Sequence, residues 1–209
     1  MAIRLTDRDL ELLLTLARNG FLTVKQIQSK WFKYYNDCMR RLKQLRDEKY
    51  IDVVYIERFG SGIYHLTNNG LSFINDYYGY EYKNYSKNSK INHFVSCGEF
   101  YLNFPYEILE YKMEYDLDTF IPDIYIKYYH NKEIDLLVEI DNTAKTNAIK
   151  QKIINYTDYL DLKAWTEQFG KFPKCLIVSK GNFKLKDFNS KIPFIMINFK
   201  QLGELKYLL

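Results

Sequence analysis

The apolar positions of the first fifty residues recur at helical spacing. Leu10, Leu13, Leu14 and Ala17 fall at i, i+3, i+4 and i+7 and predict the apolar face of a helix. Thr6, with Asp9 three residues on, is its N-cap, and Gly20 stops it. Thr23 caps a second, short helix over Val24 to Trp31, with Val24, Ile27 and Trp31 inward. A third helix is predicted from about Tyr35 to Glu48. Tyr35, Cys38, Met39, Leu42 and Leu45 form its apolar stripe, and Asn36, Arg40, Lys43 and Gln44 its opposite face. The period then changes to two. Residues 51–59 read as a strand, 60–62 as a glycine turn and 63–67 as the returning strand, before a further helix over 66–78.

The stretch 77–90 is polar and aromatic without clean periodicity, so residues 78–90 read as a linker between a unit 1–77 and a unit 91–209. From Ile91 the chain restarts with an amphipathic helix ended by Pro105. Three strand-like runs follow, at 106–115, 120–129 and 133–141. A long helix from about Thr146 to Leu162 carries Ile149, Ile153, Tyr156 and Leu160 on one face. Two more strands lie at 172–179 and 192–199, and a short helix closes the chain. The fold class is therefore α/β (α+β), with helices against a mixed sheet in the second unit.

Composition narrows the function. Of 209 residues, 47% are hydrophobic and 27% charged, which describes a folded chain and not a disordered one. No apolar run approaches the roughly 18 residues of a membrane span. The N-terminus carries acids inside its apolar stretch, which argues against a signal peptide. Cys38, Cys97 and Cys175 lie far apart, and only three histidines exist. Zinc and disulfide frameworks are disfavoured, and a reducing cytoplasm is expected. The net charge is +4. It is concentrated in residues 1–77, with 12 Lys+Arg against 9 Asp+Glu, whereas the remainder has 18 against 17.

Three helices followed by a hairpin constitute a winged helix-turn-helix, and through residues 40–54 and 64–74 about the first 77 residues resemble the winged-helix domains of bacterial DNA-binding proteins. A helix fits the major groove, where bidentate donors read base edges. Asn36, Arg40, Lys43 and Gln44 are the expected groove contacts. Lys30, Lys33 and Arg41 are expected on phosphates, and Arg58 at the wing tip on the minor groove or backbone. The partner is double-stranded DNA. Such binding requires no cofactor, and winged helices often bind as homodimers.

The second unit resembles the PD-(D/E)xK nuclease fold, a restriction-endonuclease-like domain, through Pro122-Asp123 and the pair Glu139 and Asp141. Two residues apart on a strand, those acids face one side. With Asp123 on the neighbouring strand they could hold Mg²⁺ and activate water. The motif places lysine two residues after the acid, where this chain has Asp141. Lys145 or Lys152 on the next helix would have to substitute. That departure weighs against catalysis. Alternatively, Asp123 is a turn residue and Asp141 or Thr143 a helix N-cap.

A narrower resemblance spans nearly the whole chain. A winged helix followed by Pro122-Asp123, then Glu139, Asp141 and Thr143, then Lys152 and Tyr156, is similar to the replication-relaxation family of plasmids and integrative elements. The family's arginine before PD is Ile121 here, and Asn142 alone stands where an Arg-Gly pair is usual. The resemblance implies an accessory or regulatory role in plasmid replication, copy control or conjugative mobilisation, with a relaxase or replication initiator as partner. A Mg-dependent endonuclease using Asp123, Glu139, Asp141 and Lys152, and a winged-helix transcriptional repressor, are the alternatives.

Overall fold

The computed structural model describes residues 3–85, 90–184, 186, 188 and 190–209. Residues 86–89 of the expected linker lie outside the described residues. The chain divides into two units, 3–102 and 103–209, and two sheets.

The first unit follows its local signals closely. Helix α1 (Asp7–Asn19) opens with a capping box. The Asp9 N–H donates to the Thr6 hydroxyl at 3.4 Å, and the Thr6 N–H to the Asp9 carboxylate at 2.8 Å. It ends where Gly20 takes φ 75°, a conformation that favours glycine. Its buried face is Leu12, Leu13, Leu16 and Ala17, while Leu10 and Leu14 are only half-buried. The expected face is thus rotated, because buried Asp9 must turn inward to an arginine described below. Strand β1 (Leu22–Thr23) leads into α2 (Val24–Trp31), with a second capping box between Thr23 and Gln26.

Helix α3 (Tyr35–Asp47) buries Cys38, Leu42 and Leu45. Tyr35, expected in that stripe, is 55% exposed, since the first turn of α3 overhangs the core. Strands β2 (Ile51–Tyr55) and β3 (Gly62–Leu66) form the hairpin, with a 3-10 turn at Glu57–Phe59 between them. The three strands run antiparallel in the order β1-β3-β2, Leu22 facing Tyr64 and Val53 facing Tyr64 from the other side. Helix α4 (Asn68–Tyr78) is capped by Thr67.

Helix α5 (Ile91–Leu102) belongs to this unit and not to the second, so the boundary falls after Leu102 and not within 78–90. The cause is specific. The Gln26 side-chain amide donates to the Val95 carbonyl and the Glu99 carboxylate, both at 2.9 Å. Arg18 donates to the Tyr101 hydroxyl at 2.7 Å. Phe94 stacks on Phe21, and Gly98 lets α5 close on β1: a Cβ there would stand 2.6 Å from Leu22.

The second unit is a five-stranded sheet, β4 (Glu107–Met113), β5 (Ile124–Tyr129), β6 (Glu133–Asp141), β7 (Lys174–Ser179) and β8 (Ile195–Asn198), side by side in that order. The first three form an antiparallel meander, and β6-β7-β8 are parallel. A parallel neighbour needs a crossover, supplied by α6 (Thr146–Leu162) and the short α7 (Trp165–Phe169), which the sequence pattern did not reveal. Buried Pro122 has no N–H for the ladder, so β5 starts at Ile124 and not at 120. Ile149, Ile153, Tyr156 and Tyr159 of α6 pack on Tyr125, Leu137, Cys175 and Ile177 of the sheet. A 3-10 turn at Phe199–Glu204 and α8 (Leu205–Leu208) finish the chain, burying Leu202 and Leu205. No helix among the described residues is long and apolar enough to cross a membrane.

Candidate functional site

Two places concentrate chemistry, one in each unit. In the second unit, antiparallel register pairs Ile124 with Val138, which brings Asp123 beside Glu139. The Asp123 carboxylate accepts the Ile140 N–H at 2.7 Å, which fixes it across the strand gap. Lys152, two turns into α6, reaches down to both acids. Its ammonium lies 2.9 Å from Asp123 Oδ2 and donates to Glu139 Oε2 as well. Asp123, Glu139 and Lys152 therefore come together, with the lysine supplied from the helix and not the strand.

Burial decides the electrostatics. The Glu139 side chain is 5% exposed. Loss of solvation pushes its carboxyl up to about 8; the Asp123 charge adds to this and Lys152 opposes it. Burial would pull Lys152 down, but Glu139 and Asp123 together hold it above its ordinary value. The fully buried Tyr156 hydroxyl lies beside Glu139, with no hydrogen bond of ordinary length among the described residues. Its ring is held by Phe120 and Phe194. Burial, followed by the Glu139 charge, raises Cys175 far above a reactive thiol's range.

Asp141 does not join this cluster. Leu137 contributes to the core beneath α6, so alternation puts Glu139 and Asp141 on that same face, as expected. But Asp141 stands at the strand end, opposite Ser179 on β7. Its carboxylate accepts from the Ser179 hydroxyl at 2.6 Å, the Thr143 hydroxyl at 2.7 Å, the Thr143 N–H at 3.0 Å and the Ala144 N–H at 3.1 Å. Burial would raise its carboxyl, yet these donors hold it below its ordinary value. It fastens a turn and is not the N-cap of α6, a position held by Lys145.

Asp141 is thus drawn away from Asp123 and Glu139, and the three carboxylates of the expected Mg²⁺ site do not converge. No group of three or more His, Cys, Asp or Glu among the described residues could hold a metal ion. Asp141 spends its oxygens on four donors, and the space between Asp123 and Glu139 faces an ammonium. As placed, these residues do not offer Mg²⁺ three converging carboxylates.

In the first unit, α3 exposes Asn36, Arg40 and Lys43 to solvent. Two of these are held by acids on the same helix: Arg40 by Asp37 at 2.8 Å and Lys43 by Asp47 at 2.6 Å. Both pairs are exposed and worth little in water. Lys30 and Lys33 are exposed on and after the last turn of α2, and Arg58 on the hairpin turn. Arg41 is different. It donates to both Asp9 oxygens, at 2.6 and 3.0 Å, to the Arg4 carbonyl at 2.9 Å and to Gln44 at 2.9 Å. Arg41 is therefore a clamp between α3, α1 and the N-terminal segment, and Gln44 is half-buried as its acceptor.

Sequence reasoning missed Ser179, whose role depends on pairing across 38 residues, and the placement of the buried Tyr156 hydroxyl beside Glu139. A model of the replication-relaxation family matches residues 13–175, which takes in α3, the hairpin and every member of the Asp123 cluster. No curated protein matches the chain.

Proposed function

The chain belongs to the replication-relaxation family, a theme of plasmid and mobile-element replication, and from that premise we propose that it is a double-stranded-DNA-binding accessory factor. The first unit is its DNA reader and the second a scaffold for DNA or for a relaxase or replication initiator. The observation that carries this reading is the solvent face of α3. Asn36, Arg40 and Lys43 project away from a core built of Cys38, Leu42 and Leu45, on a helix followed directly by a hairpin tipped with Arg58. That order, three helices and a two-stranded wing, supports a winged helix-turn-helix whose third helix enters the major groove.

The antiparallel meander followed by a parallel strand, with Asp123 at the second strand and Glu139 on the third, supports a nuclease-like ancestry for the second unit. The convergence of Lys152 on those acids favours a second reading, an endonuclease. The capture of Asp141 by its turn opposes it.

One titration separates them. The protein is added to supercoiled plasmid of its own element, with and without Mg²⁺ or Mn²⁺, and both retardation and strand breakage are scored. Retardation without breakage is the expected result. Metal-dependent nicking that vanishes in Glu139→Ala would replace the accessory-factor reading by the endonuclease. Absence of retardation under all conditions would remove DNA as the partner.

A further inference from the structure

Between the C-terminal half of α3 and the start of β2 runs an open groove of about 750 Å³. Arg40, Lys43, Arg46 and Lys49 line it, together with the acids Asp47 and Asp52. Arg46 and Lys49 had no part in the sequence-based contact set. We propose that this groove is a track for one sugar-phosphate strand of duplex DNA, with Arg46 and Lys49 as backbone contacts and Asp47 and Asp52 as internal competitors for the phosphate. This inference rests on the DNA-binding reading and specifies how it is carried out.

Three observations lead there. Arg40, Lys43 and Arg46 are three residues apart, so they rise about 9 Å along one side of the helix. That is the axial length of two to three nucleotides of one strand at about 3.4 Å each. Lys49 extends the line past the helix end, and its placement is fixed by backbone bonds. Its φ is 61°, its N–H donates to the Arg46 carbonyl at 2.8 Å, and its carbonyl accepts the Thr67 hydroxyl. Thr67, the cap of α4, thereby holds the end of the groove in place.

Third, the cations are not left bare. Asp47 holds Lys43 at 2.6 Å, and Asp52 lies 3.7 Å from Arg46. A phosphate entering the groove must displace a carboxylate from each. This lowers affinity for any duplex, whatever its sequence, and leaves Asn36 and Arg40, nearer the start of α3, to decide which site is held. A groove of four bare cations would instead bind all DNA tightly through counterion release.

The test is a salt titration of the full chain on a labelled duplex carrying its plasmid site and on a random duplex, from 50 to 300 mM salt. Thermal melts confirm that each variant is folded; the substituted side chains are exposed. Arg46→Ala with Lys49→Ala is expected to weaken both duplexes by the same factor and to flatten the log–log salt slope by about 2. Asp47→Asn with Asp52→Asn is expected to tighten the random duplex and narrow the preference for the site. Lys150→Ala with Lys171→Ala, an equal loss of two exposed charges in the second unit, should change neither. If wild type binds DNA but the Arg46/Lys49 variant binds identically, the groove is not the track and the DNA reading survives. If that variant loses only the preference between duplexes, its side chains read bases and the backbone assignment falls. If wild type binds no duplex, the DNA reading and the groove fall together.

Discussion

Arg41, in the middle of α3, grips both carboxylate oxygens of Asp9, in the first turn of α1, at 2.6 and 3.0 Å. Asp9 is fully buried, and the Arg41 side chain is 14% exposed. The helix proposed to meet DNA is thus tied by a bidentate ion pair to the helix that carries the core. Removing Arg41 leaves buried Asp9 only the Thr6 donors and a distant, more exposed cation, Arg8 at 3.9 Å. Arg41→Ala is therefore expected to cost about 3–5 kcal/mol of unfolding free energy in urea melts. A loss under 1 kcal/mol would mean that the pair is no clamp.

The same pair sets an acid limit. Burial acts to raise the Asp9 carboxyl, but Arg41 and Thr6 hold it below its ordinary value of 3.8. A carboxyl depressed in the folded state contributes stability in full above its unfolded value, and that contribution is lost as pH falls through the folded one. Stability measured between pH 6 and 2 should therefore drop below about pH 4. The drop should be shallower in Asp9→Asn, whose baseline is lower. An identical acid limb in that variant would assign the transition to other carboxyls such as Asp141.

Lys152→Ala removes the cation from between Asp123 and Glu139. Buried Glu139 and half-buried Asp123 then face each other without a cation between them, at a cost of about 3 kcal/mol near pH 8. Without Lys152 the Glu139 carboxyl rises further, so the folded state holds a proton that the unfolded chain releases near pH 4.5. The penalty should consequently shrink as pH is lowered from 8 toward 5. A penalty independent of pH would locate the defect in packing instead.

Asp141→Ala takes the acceptor from the Ser179 and Thr143 hydroxyls and from two backbone N–H groups. About 1–3 kcal/mol of stability should be lost, chiefly through the buried Ser179 hydroxyl. Plasmid retardation at temperatures where the variant is folded should be unchanged. Loss of retardation in a folded variant would make Asp141 part of the DNA surface.

Arg40→Ala should weaken binding to the plasmid site by about 1–3 kcal/mol if its guanidinium is bidentate to a base, and random duplex much less. Arg58→Ala should lower both evenly and flatten the salt slope by about 1. An equal loss on both duplexes for Arg40, or a change of preference for Arg58, would exchange their roles.

What was legible in the sequence was local. Thr6, Thr23 and Gly20 announce helix ends because each acts within four residues of itself, and the change of period after Tyr50 marks the hairpin. The two-residue β1 was invisible, since it is a strand only by pairing with Tyr64 and Ile63, forty residues on. Tyr35 obeys helical spacing but lies beyond the edge of the core. The convergence of Asp123, Glu139 and Lys152 could be anticipated from strand alternation and a helix returning over the sheet. The diversion of Asp141 could not, because its strongest partner, Ser179, is defined only by parallel register. Likewise, nothing near Arg41 distinguishes it from Arg40: one turns to Asp9 and the other to solvent.

The glycine at 98 fixes where this protein can be cut and rejoined. A fragment ended in the tyrosine-rich stretch before residue 90 would strip α5 from β1, uncovering Leu22 and Phe21, leaving the Gln26 amide without its acceptors on α5 and taking Tyr101 from Arg18. The smallest exchangeable form of the first unit therefore runs through residue 102, and any chimera that transplants α3 must carry α5 along with it.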